Sequence, residues 1–267
     1  MRRIKLAATA GIALSLLVQG TSQASTPSPK YVSLLIQETG GYTTREWAFE
    51  RTPTVLYSDG QLITRVPFQT LKYPGPMVGS FLQKREPSAV SRIVTAATKV
   101  NLADPKFDWG YPQVTDLPDT LVMTQASPRA PQTRVSIYAL GWDYGVSPKY
   151  KATARKEAAE FIDKVESFSS ELMWTKSRPT AWIPTKWVYM AVEAEADSFS
   201  QVRKWFGSKK LQWTGSCTEM SVSENRAFNS LLPKLNSASR FSSNGKIWRL
   251  AVRPLFPHET GCRSIIN

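Results

Sequence analysis

The chain has 267 residues, with 34 Lys and Arg against 21 Asp and Glu, and a formal charge of +13 at neutral pH. A single histidine and two cysteines argue against a zinc site. Such a charge favours anionic partners: nucleic acid, anionic lipid, cell-wall phosphate polymers or acidic glycans.

The N-terminus reads as a secretory signal. Arg2, Arg3 and Lys5 precede an apolar stretch from Leu6 to Val18, and Ser22-Gln23-Ala24 offers a small-residue cleavage site. The apolar stretch is shorter than the roughly 20 residues of a spanning helix, so cleavage after Ala24 is expected over an uncleaved anchor. No later segment is long and apolar enough to span a bilayer. Removing Arg2, Arg3 and Lys5 takes the charge from +13 to +10.

In chain order, Tyr31 to Gln37 predicts a strand that ends at Gly40-Gly41. Thr54 to Tyr57 and Gln61 to Arg65 flank Ser58-Asp59-Gly60, a hairpin signal of the type I′ kind, with φ > 0 expected at two central residues. Pro67 to Gly79 reads as an irregular loop. Val90, Ile93, Val94, Ala97 and Val100 recur at helical spacing within Pro87 to Leu102. Phe107 to Pro118 is a loop, and Thr120 to Gln125 and Thr133 to Leu140 are strands. Lys151 to Met173 is the longest helix, with Ala158, Phe161, Ile162, Val165, Phe168 and Leu172 on one face.

After the punctuation of Ser177 to Pro184, Lys186 to Ala194 predicts a strand. Ser198 to Phe206 predicts a short helix stopped by Gly207, and Leu211 to Thr214 another short strand. Ser221-Val222-Ser223-Glu224 fits a capping box, with Pro233 awkward inside the helix that follows. Lys246 to Leu255 is the last strand, with Trp248, Leu250 and Val252 on one face and Arg249 and Arg253 on the other.

Cys217 and Cys262 are expected to pair, because an exporting compartment permits it and neither has another partner. The chain-entropy model assigns the loop between them about 4 kcal/mol.

For chemistry, His258 has no Gly-x-Ser-x-Gly elbow to serve and reads as a surface or loop histidine. Glu193 and Glu195, with Asp108 and Asp116, are the carboxylates a hydrolase could use. Their bland reading is a solvated strand end and turn-forming aspartates. Trp174, Trp182, Trp187, Trp205 and Trp213 alternate with cations, a pattern suited to anionic glycan or single-stranded nucleic acid. Export disfavours nucleic acid, and Trp187 and Trp205 also fit a core. The expected anion-binding set is Lys176, Arg178, Lys186, Arg203, Lys204, Lys209, Lys210, Arg249 and Arg253.

Val55 to Gly60, Asp116 to Val122 and Tyr138-Ala139-Leu140-Gly141 carry a resemblance. So do Cys217, Gly245-Lys246-Ile247-Trp248, Arg253-Pro254-Leu255-Phe256-Pro257 and Glu259 to Cys262. Together they resemble uncharacterised secreted proteins and lipoproteins of actinomycete-type bacteria. That resemblance implies export and no known activity, so it carries no catalytic residue onto this chain. The lipobox cysteine of the anchored members is missing here, which implies a protein released or held by charge.

The expected fold is α+β, with mainly antiparallel sheets, packed helices and one C-terminal disulfide. Residues 1–24 form the signal peptide, 30–176 an N-terminal half ending in the long helix, and 184–267 a disulfide-stapled half. The expected function is non-enzymatic: an exported or envelope-associated protein binding anionic polymer or lipid, without cofactor, metal, nucleic acid or transmembrane anchor. A secreted carboxylate hydrolase of an extracellular polymer and a protein-interaction or inhibitor domain are the alternatives.

Overall fold

Two sheets carry the fold in the computed structural model, which describes residues 30–66, 73–169, 178–213 and 215–265. The expected signal segment, Trp174, Lys176 and Thr214 lie outside the described residues. The protein is α+β, with mainly antiparallel sheets, packed helices and a Cys217–Cys262 disulfide. No helix among the described residues is long and apolar enough to cross a membrane.

The first sheet is built from β1 (Val32–Thr39), β2 (Thr54–Tyr57), β3 (Gln61–Arg65), β4 (Phe81–Arg85), β5 (Asp119–Thr124), β6 (Thr133–Tyr138) and β7 (Thr180–Ala181). Its order is β6-β5-β1-β2-β3-β4-β7, every pairing antiparallel. The β2–β3 hairpin matches the expected strands, but its turn does not. Only Gly60 is left-handed, at φ 81°, and its N–H donates to the Tyr57 carbonyl at 2.9 Å. A three-residue loop with one left-handed glycine joins the strands, so the two positive φ angles of a type I′ turn are not needed.

Helices α2 (Ala89–Lys99) and α3 (Lys149–Glu166) cover one face of this sheet. Ile93, Ala97, Ala158, Phe161 and Val165 bury their apolar stripes against Leu34, Ile36, Leu56, Leu62 and Val122. Arg155 on α3 is fully buried; its guanidinium donates to Asp143 and to the carbonyls of Tyr138 and Ala139, tying α3 to the end of β6. The strand β4 was not expected, because FLQKR shows no clean alternation; pairing with β3 supplies its order.

The second sheet runs β10-β8-β12-β11-β9, from β8 (Trp187–Glu193), β9 (Gln201–Lys204), β10 (Thr218–Glu219), β11 (Ser239–Ser243) and β12 (Lys246–Pro254). Helix α4 (Val222–Leu231) starts with the expected capping box: Ser221 Oγ accepts from the Glu224 N–H, and the Glu224 carboxylate accepts from the Ser221 N–H. Pro233 is accommodated by a change to a 3₁₀ turn over Leu232–Lys234.

Residues 198–206 are not a helix. Asp197 closes an Asx turn on Phe199 and Ser200, and 201–204 then extend as β9, parallel to β11. A free strand edge offers backbone partners that a two-turn helix with exposed Phe199 and Val202 cannot match. Leu211 to 213 form no strand; Leu211 is a buried coil residue.

Both faces of the second sheet are covered. Trp248, Leu250 and Val252 meet Phe228 of α4. The opposite face meets an unexpected short helix, α1 (Arg45–Glu50), whose Phe49 packs on Val188, Met190 and Ala251. In return, Phe256 leaves the end of β12 and packs on Phe81 and Trp182 at the first sheet.

Candidate functional site: a lysine-lined pocket

Lys204 ends β9, and the chain then folds back over residues 205–211. Trp205 fixes that fold: its backbone N–H donates to Ser242, and its indole N–H donates to the Lys209 carbonyl at 2.8 Å. The Leu211 N–H donates to Ser243 Oγ at 3.0 Å, pinning the loop to the β11–β12 turn. That turn is Asn244-Gly245, left-handed at both positions (φ 55° and 74°). Loop and turn enclose an open pocket of about 430 Å³, lined by Lys204, Lys209, Lys210, Ser208, Ser242 and Ser243.

Lys204, Lys209 and Lys210 are exposed, and none forms an ion pair with a described residue. Three ammonium groups around one concavity repel one another, and an anion placed among them removes that repulsion. Serine hydroxyls supply neutral donors beside the charges.

The rest of the expected cationic set does not join them. Lys186 lines a separate groove of about 470 Å³ with Arg226, Asn225 and Asn229. Arg178 is exposed just before β7, on the first sheet. Arg203 turns its guanidinium to Gln201 and the Lys234 carbonyl. Arg249 and Arg253 are a correction: the face of β12 that carries them is covered by α1. Arg249 is half-buried and lies in electrostatic reach of Glu50. Arg253 is 1 % exposed and donates to Glu259 at 2.6 Å, so it offers nothing to a surface ligand. Of the tryptophans, Trp187 and Trp205 are core and Trp182 packs on Phe81 and Phe256, while Trp213 is exposed.

The carboxylates picked from the sequence do not converge on a cleft. Glu193 pairs with Lys246 at 2.7 Å and Glu195 is exposed. Asp108 pairs with Lys151, whose ammonium together with the Gly110 N–H holds its carboxyl below the usual range. Asp116 sits exposed at φ 63°. His258 is a loop histidine, in the turn after β12, but a half-buried one, with Nδ1 2.8 Å from the Tyr57 hydroxyl, and burial lowers its pKa to about 4. Protein-family models, curated proteins and solved structures hold no match to this chain.

The site is therefore read from its own geometry. Among the described residues, no three His, Cys, Asp or Glu side chains are placed to share a metal ion. A different carboxylate group does converge: Glu38, Asp163 and Glu166 line a groove of about 540 Å³ between α3 and one end of the first sheet. Sequence reading missed it because Glu38 lies far along the chain from the helix pair. A visible signal was the polar residue closing each otherwise apolar strand face. The Asn244-Gly245 turn was likewise a hairpin signal, hidden by the serines of β11.

Proposed function

We propose that this is an exported, non-enzymatic binding protein of the cell envelope, which holds an anionic group of an envelope polymer in the Lys204–Lys209–Lys210 pocket. The observation that carries this reading is the convergence of three lysines without acidic partners on one concave surface beside three serines. The charge of +10 left after the expected cleavage supports it by drawing anionic polymer to the protein from a distance. The signal-like N-terminus and the disulfide support export. The resemblance to secreted actinomycete-type proteins points the same way. Lysine acts here as a point charge, which suits the repeating phosphates or carboxylates of a polymer more than one fixed geometry.

The test is co-sedimentation of the purified protein with isolated cell walls, in parallel with anionic and neutral liposomes. Binding to walls should fall steeply with added salt, and a K204E/K209E/K210E triple variant should lose it. Binding to anionic liposomes alone would move the ligand from polymer to lipid headgroup. Absence of wall and liposome binding at low salt, or indifference to salt, overturns the reading.

A further inference from the structure

On the side of the first sheet that faces α3, four neighbouring strands change character at the same end. Val122, Ile36, Leu56 and Leu62 belong to the buried core under the helices. Two residues further along, on the same face by the period-2 rule, the strands β5, β1, β2 and β3 carry Thr120, Glu38, Thr54 and Thr64. The register aligns them: Glu38 faces Thr120, Ile36 faces Thr54, and Thr54 Oγ1 meets Thr64 Oγ1 at 2.9 Å. Packing alone would place apolar side chains here, as the rest of that face does.

The last turns of α3 stand over this polar end and enclose the 540 Å³ groove, a size within the roughly 300–1,000 Å³ of small-molecule sites. Glu166 reaches down to accept a hydrogen bond from Thr54 Oγ1 at 2.9 Å. Thr52 lines the same groove, and its hydroxyl is buried with no hydrogen-bond partner among the described residues. Ile36, Leu140 and Ile162 give the groove an apolar wall.

Charge is unevenly matched around it. Arg51 answers Glu38 at 3.9 Å and also donates to the Gly40 carbonyl. Arg65 lies in electrostatic reach of Glu50. Asp163 and Glu166, one turn apart on α3, make no ion pair with a described residue. The groove thus holds three carboxylates, Glu38, Asp163 and Glu166, against two guanidiniums, Arg51 and Arg65, an excess of one negative charge in a strongly basic protein.

We infer that this groove binds a ligand with one protonated amine on a hydroxylated ring, an amino sugar in chemical class, with Asp163 and Glu166 as counter-charges. The Thr52 and Thr120 hydroxyls meet the ring hydroxyls, and the apolar wall meets the C–H face of the ring. The site is separate from the lysine pocket and opposite to it in charge. Glu166 also supplies a pH signature. Desolvation of its carboxyl in the groove raises its pKa, although the residue as a whole is exposed, with Thr54 opposing and with Glu38 and Asp163 adding repulsion. The charged groups facing it are Glu38 from β1, Asp163 from its own helix, Arg51 from the segment after α1 and Arg65 from β3. An ammonium in the groove favours the ionised form, so affinity should rise as Glu166 loses its proton.

The experiment is a titration of the purified protein with D-glucosamine, followed by backbone amide shifts, with D-glucose and N-acetylglucosamine as uncharged controls. Glucosamine should shift amides at 52–54 and 163–166 saturably, and each control should bind at least about tenfold more weakly, the scale of one charged hydrogen bond. Glu166→Gln and Asp163→Asn should each weaken glucosamine about tenfold, while K209E/K210E should leave it unchanged. Asp163 and Glu166 are both exposed, but Glu166 is hydrogen-bonded to Thr54, so Asp163→Asn keeps the test available if Glu166→Gln misfolds. Equal binding of glucose and glucosamine, no saturable shift, or full affinity in Asp163→Asn overturns the inference.

Discussion

The Tyr57 hydroxyl and His258 Nδ1 meet at 2.8 Å, across 201 positions of sequence. Tyr57 belongs to β2 of the first sheet, and His258 follows β12 of the second, so this hydrogen bond joins the two sheets beside Phe256. Burial lowers the His258 pKa to about 4, and the nearby Arg253 charge pushes the same way. Burial likewise raises the Tyr57 phenol, so it stays protonated.

A pH dependence follows. The folded-state pKa of His258 lies below its unfolded value of 6.5, so the unfolded chain binds more protons between the two. The contribution is complete above pH 6.5 and is lost as pH falls towards 4, by at most about 3 kcal/mol. Glu50, Glu166 and Glu259, all raised by burial, act with the opposite sign. Urea unfolding of wild type and His258→Gln across pH 4–7 isolates the histidine: the variant should lose less stability on acidification. Parallel curves would refute the assignment.

Arg253 and Glu259 form a buried pair, 1 % and 2 % exposed at their side chains, with the Phe256 N–H donating to the second Glu259 oxygen at 2.8 Å. Arg253→Met alone strands a carboxylate in the core and should cost about 3–5 kcal/mol. The double variant R253M/E259M removes both charges and should recover most of that loss. Guanidinium unfolding of the three proteins measures it.

Replacing both cysteines by serine releases a cross-link 45 positions long and should lower stability by about 4 kcal/mol. A non-reducing peptide map of the purified protein should show one Cys217–Cys262 peptide and no free thiol.

Gly60 and Gly245 share a left-handed backbone but not their surroundings. A Cβ at Gly60 would sit 2.3 Å from the Glu86 carbonyl carbon, whereas one at Gly245 meets nothing within 4 Å. Gly245→Ala should therefore cost only the left-handed penalty of about 1–2 kcal/mol. Gly60→Ala should cost clearly more, because backbone cannot move aside as a side chain does. Thermal midpoints of the two variants decide it.

What the sequence determined by itself was local. The β2 and β3 boundaries, the α2 stripe, the Ser221 capping box and the cysteine pair all rest on signals within a few residues or on the absence of any rival partner. Lys204, Lys209 and Lys210 were also picked out, as part of a longer cationic set. Only the tertiary structure decided the rest. Residues 201–204 became a strand because β11 offered an edge, and Arg253 became an interior charge because α1 and the 256–259 segment closed over it. Likewise Glu38, Asp163 and Glu166, more than 120 positions apart at their extremes, share a groove only because β1 and α3 pack together. Alternation and helical spacing tell which side of an element is apolar. They do not tell which element covers it, and that choice separates a surface arginine from a buried one.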